Sequence, residues 1–270
     1  MIVVIDGIRY HVKICGDGIP LVLLHGFTGD ASTWSSFFEE WSRHSRLIVP
    51  DIIGHGKSDS PEELKHYQIE SMADSLNIIL DQIGVNQIDL LGYSMGGRLA
   101  LTFALLYPNR VRRLILESTS PGLQTESERE LRCMNDAKLA KFIIDKGMTS
   151  FVDYWENIPL FFSMKKLPAS VQKKIREQRL SNSPQGLSNS LLGMGTGSQP
   201  SCWDRLDQLN SDVLILTGQE DLKFCQIAEK MVLRLKKVKW MVVKNCGHAI
   251  HVEEPEKFGT IVSDFLSTEE

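Results

Sequence analysis

The sequence predicts an α/β protein, a doubly wound and mostly parallel sheet with an inserted helical lid. Three observations lead there. Short apolar runs alternate with stretches of helical periodicity, the pattern that strand–helix units impose. The apolar residues 88–91 lead into Gly92-Tyr93-Ser94-Met95-Gly96, a turn pinched between glycines, and then into a helical stretch over 98–107. From 121 to about 203 no strong strand is found and helical segments take over. Residues 1–120 and 204–270 are therefore expected to form the core, and residues 121–203 the lid.

Taken in order, residues 1–5 and 9–14 flank Asp6-Gly7, a pair favoured in tight hairpin turns, where φ must be positive. Residues 21–24 (LVLL) are wholly apolar, as in a strand covered on both faces. They end in His25-Gly26-Phe27-Thr28-Gly29, a turn that lets backbone N–H groups face the crevice; His25 reads as a brace for it. Residues 34–43 read as a helix capped by Ser32 or Thr33. Residues 47–50 make the next strand, and the polar loop 51–58 leaves it, with His55 as a second brace. Over 69–83, Ile69, Met72, Leu76, Ile79, Leu80 and Ile83 recur at helical spacing before Gly84.

Residues 111–116 form another strand, ending in Glu117-Ser118. Helical segments follow at 126–147, 149–155 and 170–179, then a Gly/Ser/Asn-rich stretch over 181–200. Phe151, Trp155, Phe161 and Phe162 need burial, which makes this insertion an ordered one. Residues 212–217 (DVLILT) resume the sheet and open into Gly218-Gln219-Glu220-Asp221. A helix over 224–236, a last strand over 238–243, the turn Asn245-Cys246-Gly247-His248 and a closing helix over 255–266 complete the chain.

Composition bounds the function. The 270 residues, 42% hydrophobic and 24% charged, suffice for one large core. A net charge of −4 gives no general attraction for nucleic acid or a membrane surface. Charge comes too early at the amino terminus, at Asp6 and Arg9, for a signal peptide, and no run approaches a membrane span. Cys15, Cys133, Cys202, Cys225 and Cys246 are odd in number and irregularly spaced; they read as reduced packing residues without metal-ligand spacing. A cytoplasmic protein is the expectation, without nucleic-acid or membrane partners and of open oligomeric state.

The chemistry starts at Ser94. A serine between Gly92 and Gly96 sits on a sharp strand-to-helix reversal, where small neighbours keep space clear for a strained backbone. Its hydroxyl is lifted out of the sheet, beside the free N–H groups that begin a helix. A hydroxyl alone is a feeble nucleophile or base, so an imidazole must take its proton, and a carboxylate must orient that imidazole. Asp221 and His248 follow in the chain order serine, acid, histidine. Glu220 and Glu117 are rival carboxylates, and His251 is the rival histidine; the Gly247-His248 turn favours His248. The N–H groups of Phe27 and Met95 are candidates for an oxyanion hole. This constellation resembles the nucleophile elbow and triad of the α/β-hydrolase superfamily.

Arg98 lies four residues past Ser94, on the helix face that reaches the pocket. Hydrolysis of small esters needs no cation there, so an anionic substrate is expected. Tyr93 and Trp155 read either as pocket walls or as core packing.

Further segments carry a narrower likeness: LHGFTG at 24–29, DIIGHGKSD at 51–59, GYSMGGRLAL at 92–101, GQEDLKF at 218–224 and CGHAIH at 246–251. It extends into the lid through ESTSPGL at 117–123, Arg132, FVDYWENIPLF at 151–161, Arg179 and GMGTGSQPSCW at 193–203. Over nearly its whole length the chain resembles the 2-succinyl-6-hydroxy-2,4-cyclohexadiene-1-carboxylate synthases of menaquinone biosynthesis. The resemblance implies elimination of pyruvate from an enolpyruvyl cyclohexene acid, with Ser94 acting as a base and with no metal, cofactor or covalent intermediate. It also implies that Arg132 and Arg179 bind substrate carboxylates, although composition alone does not separate them from Arg129 and Arg176. Two other readings stay open: a serine esterase or carbon–carbon bond hydrolase, and a non-catalytic binding protein of the same fold.

Overall fold

Eight strands form one sheet in the order β1-β2-β4-β3-β5-β6-β7-β8 in a computed structural model that describes residues 1–267. β1 (Ile2–Ile5) and β2 (Ile8–Cys15) form the expected hairpin, with Asp6 at φ 48° and Gly7 at φ 81°. β2 pairs antiparallel with β4 (Ser45–Pro50). From there β3 (Ile19–Leu24), β5 (Ile88–Tyr93), β6 (Val111–Glu117), β7 (Asp212–Gly218) and β8 (Val238–Val243) all run parallel. Parallel pairing aligns the carboxyl ends of β3, β5, β6, β7 and β8 on one edge, where ligand sites of open α/β sheets form.

Alternation along the strands explains the two layers that cover the sheet. Val22 and Leu24 of β3 join one core with Leu76 and Ile79 of α2 (Ile69–Gln82) and Leu99 and Phe103 of α3 (Met95–Leu106). Leu21 and Leu23 face the other way, into a core with Trp34, Phe37, Phe258 and Val262. Trp34 and Phe37 belong to a 3₁₀ segment, Ala31–Phe37, that runs on into a single turn, α1 (Phe38–Trp41). Its cap is Asp30, not Ser32 or Thr33: the Asp30 carboxylate accepts the Ser32 N–H.

Between β6 and β7 the chain builds α4 (Glu126–Trp155), α5 (Ala169–Leu180) and α6 (Pro184–Met194). A capping box of Thr125 and Glu128 starts α4. Gly147, at φ 74°, bends it between the two segments read from the sequence. α6 lies inside the Gly/Ser/Asn-rich stretch. The Ser183 side chain caps it by accepting the Gly186 N–H, Pro184 starts it, and burial of Ser188, Asn189 and Ser190 makes its polar residues interior ones. Ala140, Ile143, Phe151, Val152, Leu187 and Leu191 give the insertion a small core of its own. The chain ends with α7 (Leu222–Val232), α8 (Ile250–Glu253) and α9 (Pro255–Ser267). Among the described residues no helix is long and apolar enough to cross a membrane.

Candidate active site

Ser94 is the corner between β5 and α3. Its backbone has φ 51° and ψ −106°, an arrangement that costs a non-glycine residue about 1–3 kcal/mol. Neighbouring contacts hold it there. The Ser94 N–H donates to the Glu117 carbonyl (2.9 Å), while its own carbonyl accepts from the Arg98 N–H (3.1 Å) and the Thr119 hydroxyl (2.7 Å). A Cβ at Gly92 would run into the backbone of Gly96, and one at Gly96 into the carbonyls of Leu24 and His25. Glycine at both places lets α3 sit directly against the strand ends.

The other two residues of the constellation arrive from later strands. Asp221 follows β7 as the residue before α7, and His248 lies on the loop after β8. His248 Nε2 lies 3.0 Å from Ser94 Oγ, and its Nδ1 lies 2.6 Å from Asp221 Oδ2. Both His248 and Asp221 are buried. With the carboxylate accepting the hydrogen bond from Nδ1–H, Nε2 is left to accept from the Ser94 hydroxyl. The rivals are engaged elsewhere. Glu220 is exposed and paired with Lys166 at 2.8 Å, while Glu117 and His251 hold each other at 2.9 Å in the interior.

Ser94, Asp221 and His248 open on a cavity of about 560 Å³ that Phe27, Met95, Tyr93, Trp155, Arg98 and Arg132 also line. Among the described residues, neither the Phe27 nor the Met95 N–H donates to another group of the chain. The turn carrying Phe27 is braced from below. His25 Nδ1–H donates to the Gly26 carbonyl (2.8 Å) and its Nε2 accepts the Ile52 N–H (3.0 Å). Burial pushes the His25 imidazole below its ordinary pKa, which keeps Nε2 free to accept. His55 is also buried and neutral, its pKa pushed down to about 3 chiefly by burial, with its Nδ1 against the Ile53 carbonyl and its ring at the Phe27 edge. Asp51 completes the brace by accepting the N–H groups of Ala31 (2.6 Å) and Lys57 (2.8 Å).

Cations gather at one end of the cavity. The Arg98 guanidinium is buried and donates to the Met194 carbonyl (2.6 Å) and to the Gln199 side chain, both neutral acceptors. Burial, and then the nearby Arg132, push its pKa down to about 9. Arg132 pairs through Nε with Asp136 (2.8 Å), whose carboxyl is raised above its ordinary pKa by burial. Among the described residues Arg132 is thus bonded to a carboxylate and Arg98 to neutral acceptors alone, and a bound anion would relieve the imbalance. Asp136 escaped the sequence reading, although its place four residues after Arg132 is an ion-pair spacing on a helix.

Arg179 is placed differently. It does not line the Ser94 cavity but a second one of about 400 Å³, which shares Phe27, Tyr93 and Phe161 with the first. There its guanidinium is buried over the face of Phe161, 4.8 Å from the ring centroid. Arg176, by contrast, is tied to Glu156 and Asp153, and Arg129 donates to backbone carbonyls at the start of α4. Among the described residues, two further groups in the wall of the first cavity have no hydrogen-bond partner: the Trp155 indole N–H and the Ser163 hydroxyl. Ser163 carries no sequence signal.

The α/β-hydrolase fold family matches residues 19–255. A Bacillus subtilis (strain 168) protein, assigned as a 2-succinyl-6-hydroxy-2,4-cyclohexadiene-1-carboxylate synthase, is 47% identical over 99% of this chain and 98% of its own length. The structure of MenH from S. aureus superposes with a TM-score of 0.91 and 37% identity, over 95% of this chain and 97% of that one. A thermophilic esterase from Thermogutta terrifontis, with malate bound, gives a TM-score of 0.87 and 30% identity over 98% and 96% of the two chains. Esterases thus share the scaffold, and identity over the full length separates them from the nearer relatives. The chain belongs to the 2-succinyl-6-hydroxy-2,4-cyclohexadiene-1-carboxylate synthase family of the α/β-hydrolase fold.

Proposed function

We propose that the chain is a carbon–oxygen lyase of menaquinone biosynthesis. It eliminates pyruvate from 2-succinyl-5-enolpyruvyl-6-hydroxy-3-cyclohexene-1-carboxylate, leaving 2-succinyl-6-hydroxy-2,4-cyclohexadiene-1-carboxylate. The observation that carries this reading is the meeting, in one cavity, of a His248-paired serine and two guanidiniums, of which Arg132 alone is bonded to a carboxylate among the described residues.

In this reading Asp221 fixes the His248 tautomer, His248 takes the Ser94 proton, and the Ser94 oxygen removes the ring proton next to the succinyl ketone. The electron pair left behind is held as an enolate, whose oxygen the Phe27 and Met95 N–H groups receive. Collapse of the enolate shifts the ring double bond and breaks the carbon–oxygen bond to the enolpyruvyl group. That group leaves as the enolate of pyruvate and is protonated. An oxyanion hole suits this chemistry as well as acyl transfer, because either way negative charge grows on a carbonyl oxygen.

Recognition falls to the charges. Arg98 and Arg132 take one carboxylate of the substrate, where a guanidinium fork gives direction as well as charge. Arg179 takes another from the second cavity, across the Phe161 ring. Tyr93 and Trp155 wall the ring, with the Trp155 N–H as a donor.

Turnover tests the reading. The purified chain should release pyruvate from the enolpyruvyl precursor, and Ser94→Ala should cut that rate by about 10³-fold or more. Rapid hydrolysis of p-nitrophenyl esters with an acyl-enzyme burst, and no pyruvate, would establish an esterase instead. Full activity of Ser94→Ala would point to a role without this triad.

A further inference from the structure

The histidine loop poses a positional problem. It leaves β8, the last strand of the sheet, which has a partner on one side only, so the sheet alone does not fix where His248 lies. Two carboxylates supply the missing constraint. Glu253 accepts the N–H groups on either side of the histidine, from Gly247 (2.8 Å) and Ala249 (3.2 Å). Glu117 accepts the His251 backbone N–H (3.1 Å), and both of its oxygens lie 2.9 Å from His251 Nδ1. The Glu117 carbonyl meanwhile receives the Ser94 N–H at 2.9 Å. One residue therefore grips the serine corner through its backbone and the histidine loop through its side chain.

From this geometry we infer that Glu117 and His251 are positioning residues, setting the reach of His248 Nε2 to Ser94 Oγ. The inference rests on the proposed role of His248 as the proton acceptor. Neither residue lines the Ser94 cavity, and both are buried. The Tyr93 ring lies between the two imidazoles, 5.4 Å from His248 and 4.5 Å from His251 by ring centroids. Trp34 closes the other side of His251 at 4.9 Å. A buried carboxylate–imidazole pair is a poor device for stability alone, since an apolar filling of the same volume often serves as well. It does fix direction, because both donors must meet one carboxylate.

The test separates the hydrogen bond from the packing. His251→Phe keeps a ring beside Trp34 and Tyr93 but removes the donor; His251→Asn keeps a side-chain N–H near the Nδ1 position and gives up the ring. With the full chain, kcat and KM for pyruvate release are measured alongside thermal melting. His251→Phe should lower kcat about 10–100-fold, the cost of a misplacement on the ångström scale, with KM within about twofold, and His251→Asn should recover most of the loss. Unchanged kcat in His251→Phe overturns the inference. So does an equal loss in both variants, because the side-chain N–H kept in His251→Asn would then recover nothing. A loss carried by KM also overturns it, making His251 a ligand contact in the second cavity that it lines. Should His251→Phe not fold, Glu117→Gln decides: its amide keeps one acceptor, so kcat should fall at constant KM, and an unchanged kcat refutes the role. His248→Ala, assayed in parallel, tests the proton-acceptor reading itself: if it stays active that reading fails, whatever the residue 251 variants do.

Discussion

The floor of the Ser94 cavity is built from strand ends, whereas its roof comes from helices that keep a small core of their own and join the main cores through side chains such as Met194, Phe161 and Met164. On the floor, Phe27, Ser94, Asp221 and His248 each follow a parallel strand, and the ladder sets the spacing of those strand ends through pairs such as Leu24 with Gly92, Tyr93 with Glu117, and Gly218 with Val243. Hydrogen bonds then lock each corner. In the roof, α4 bends at Gly147, α6 meets the loop after β4 at Gly54 and Gly186, and Leu131, Met134, Ile144 and Tyr154 of α4 stay exposed. The sheet sets where the strand ends bring these corners, while of the arginines proposed to bind substrate Arg132 and Arg179 lie on the insertion and Arg98 on α3 of the core. The scaffold superposes on that of an esterase as well, so the fold by itself does not set the reaction.

That division predicts unequal mutational costs. His248→Ala breaks the floor, and kcat should fall by about 10³–10⁴-fold while the thermal transition stays near that of the parent; retained turnover would move the base to another residue. Arg98→Ala tests the proposed recognition. Removing a charged hydrogen-bond donor costs about 1.5–3 kcal/mol, so kcat/KM should drop roughly tenfold to a hundredfold, mostly through KM. Arg179→Ala should cost less, because its guanidinium packs on the Phe161 ring and lines the second cavity rather than the one that holds Ser94. A larger loss for Arg179→Ala than for Arg98→Ala would mean that the second cavity is the principal carboxylate site.

How far the sequence could be read follows the same division. Ser94, Asp221 and His248 were legible because each stands at a strand end and carries a local mark: flanking glycines, a Gly-Gln-Glu-Asp opening, a Gly-His turn. β1 and β2 were legible through Asp6-Gly7 for the same reason. α6 was not, because Ser188, Asn189 and Ser190 look like loop residues until tertiary packing buries them. The acceptors of Arg98, Met194 and Gln199, lie about a hundred residues away, and no local pattern links them. Neither does sequence show that Arg179 faces a separate cavity. Resemblance to a family supplied the lid arginines; the distribution of space around them came only with the fold.

Two smaller effects sharpen the contrast. Gly186→Ala places a Cβ against the Gly54 carbonyl and the Ser60 hydroxyl, and overpacking of this kind costs about 1–3 kcal/mol. The melting temperature should fall and KM should rise, since the strain pushes α6 off the core, while kcat at saturation should hold if the floor is independent of the roof. A matching fall in kcat would show that the two regions are coupled. Thr125→Ala should cost least, about 1 kcal/mol, because it removes only the cap of α4: the Thr125 hydroxyl that accepts the Glu128 N–H, in a capping box whose other half is Glu128 accepting the Thr125 N–H. Fraying there shortens the exposed start of α4, one turn and a half before Arg132. Hydrogen exchange should therefore quicken over the first turn of α4 and leave β5 and β7 protected. Exchange that quickened across the sheet as well would mean that the lid and the core unfold as one unit, and the separation of floor from roof would not survive it.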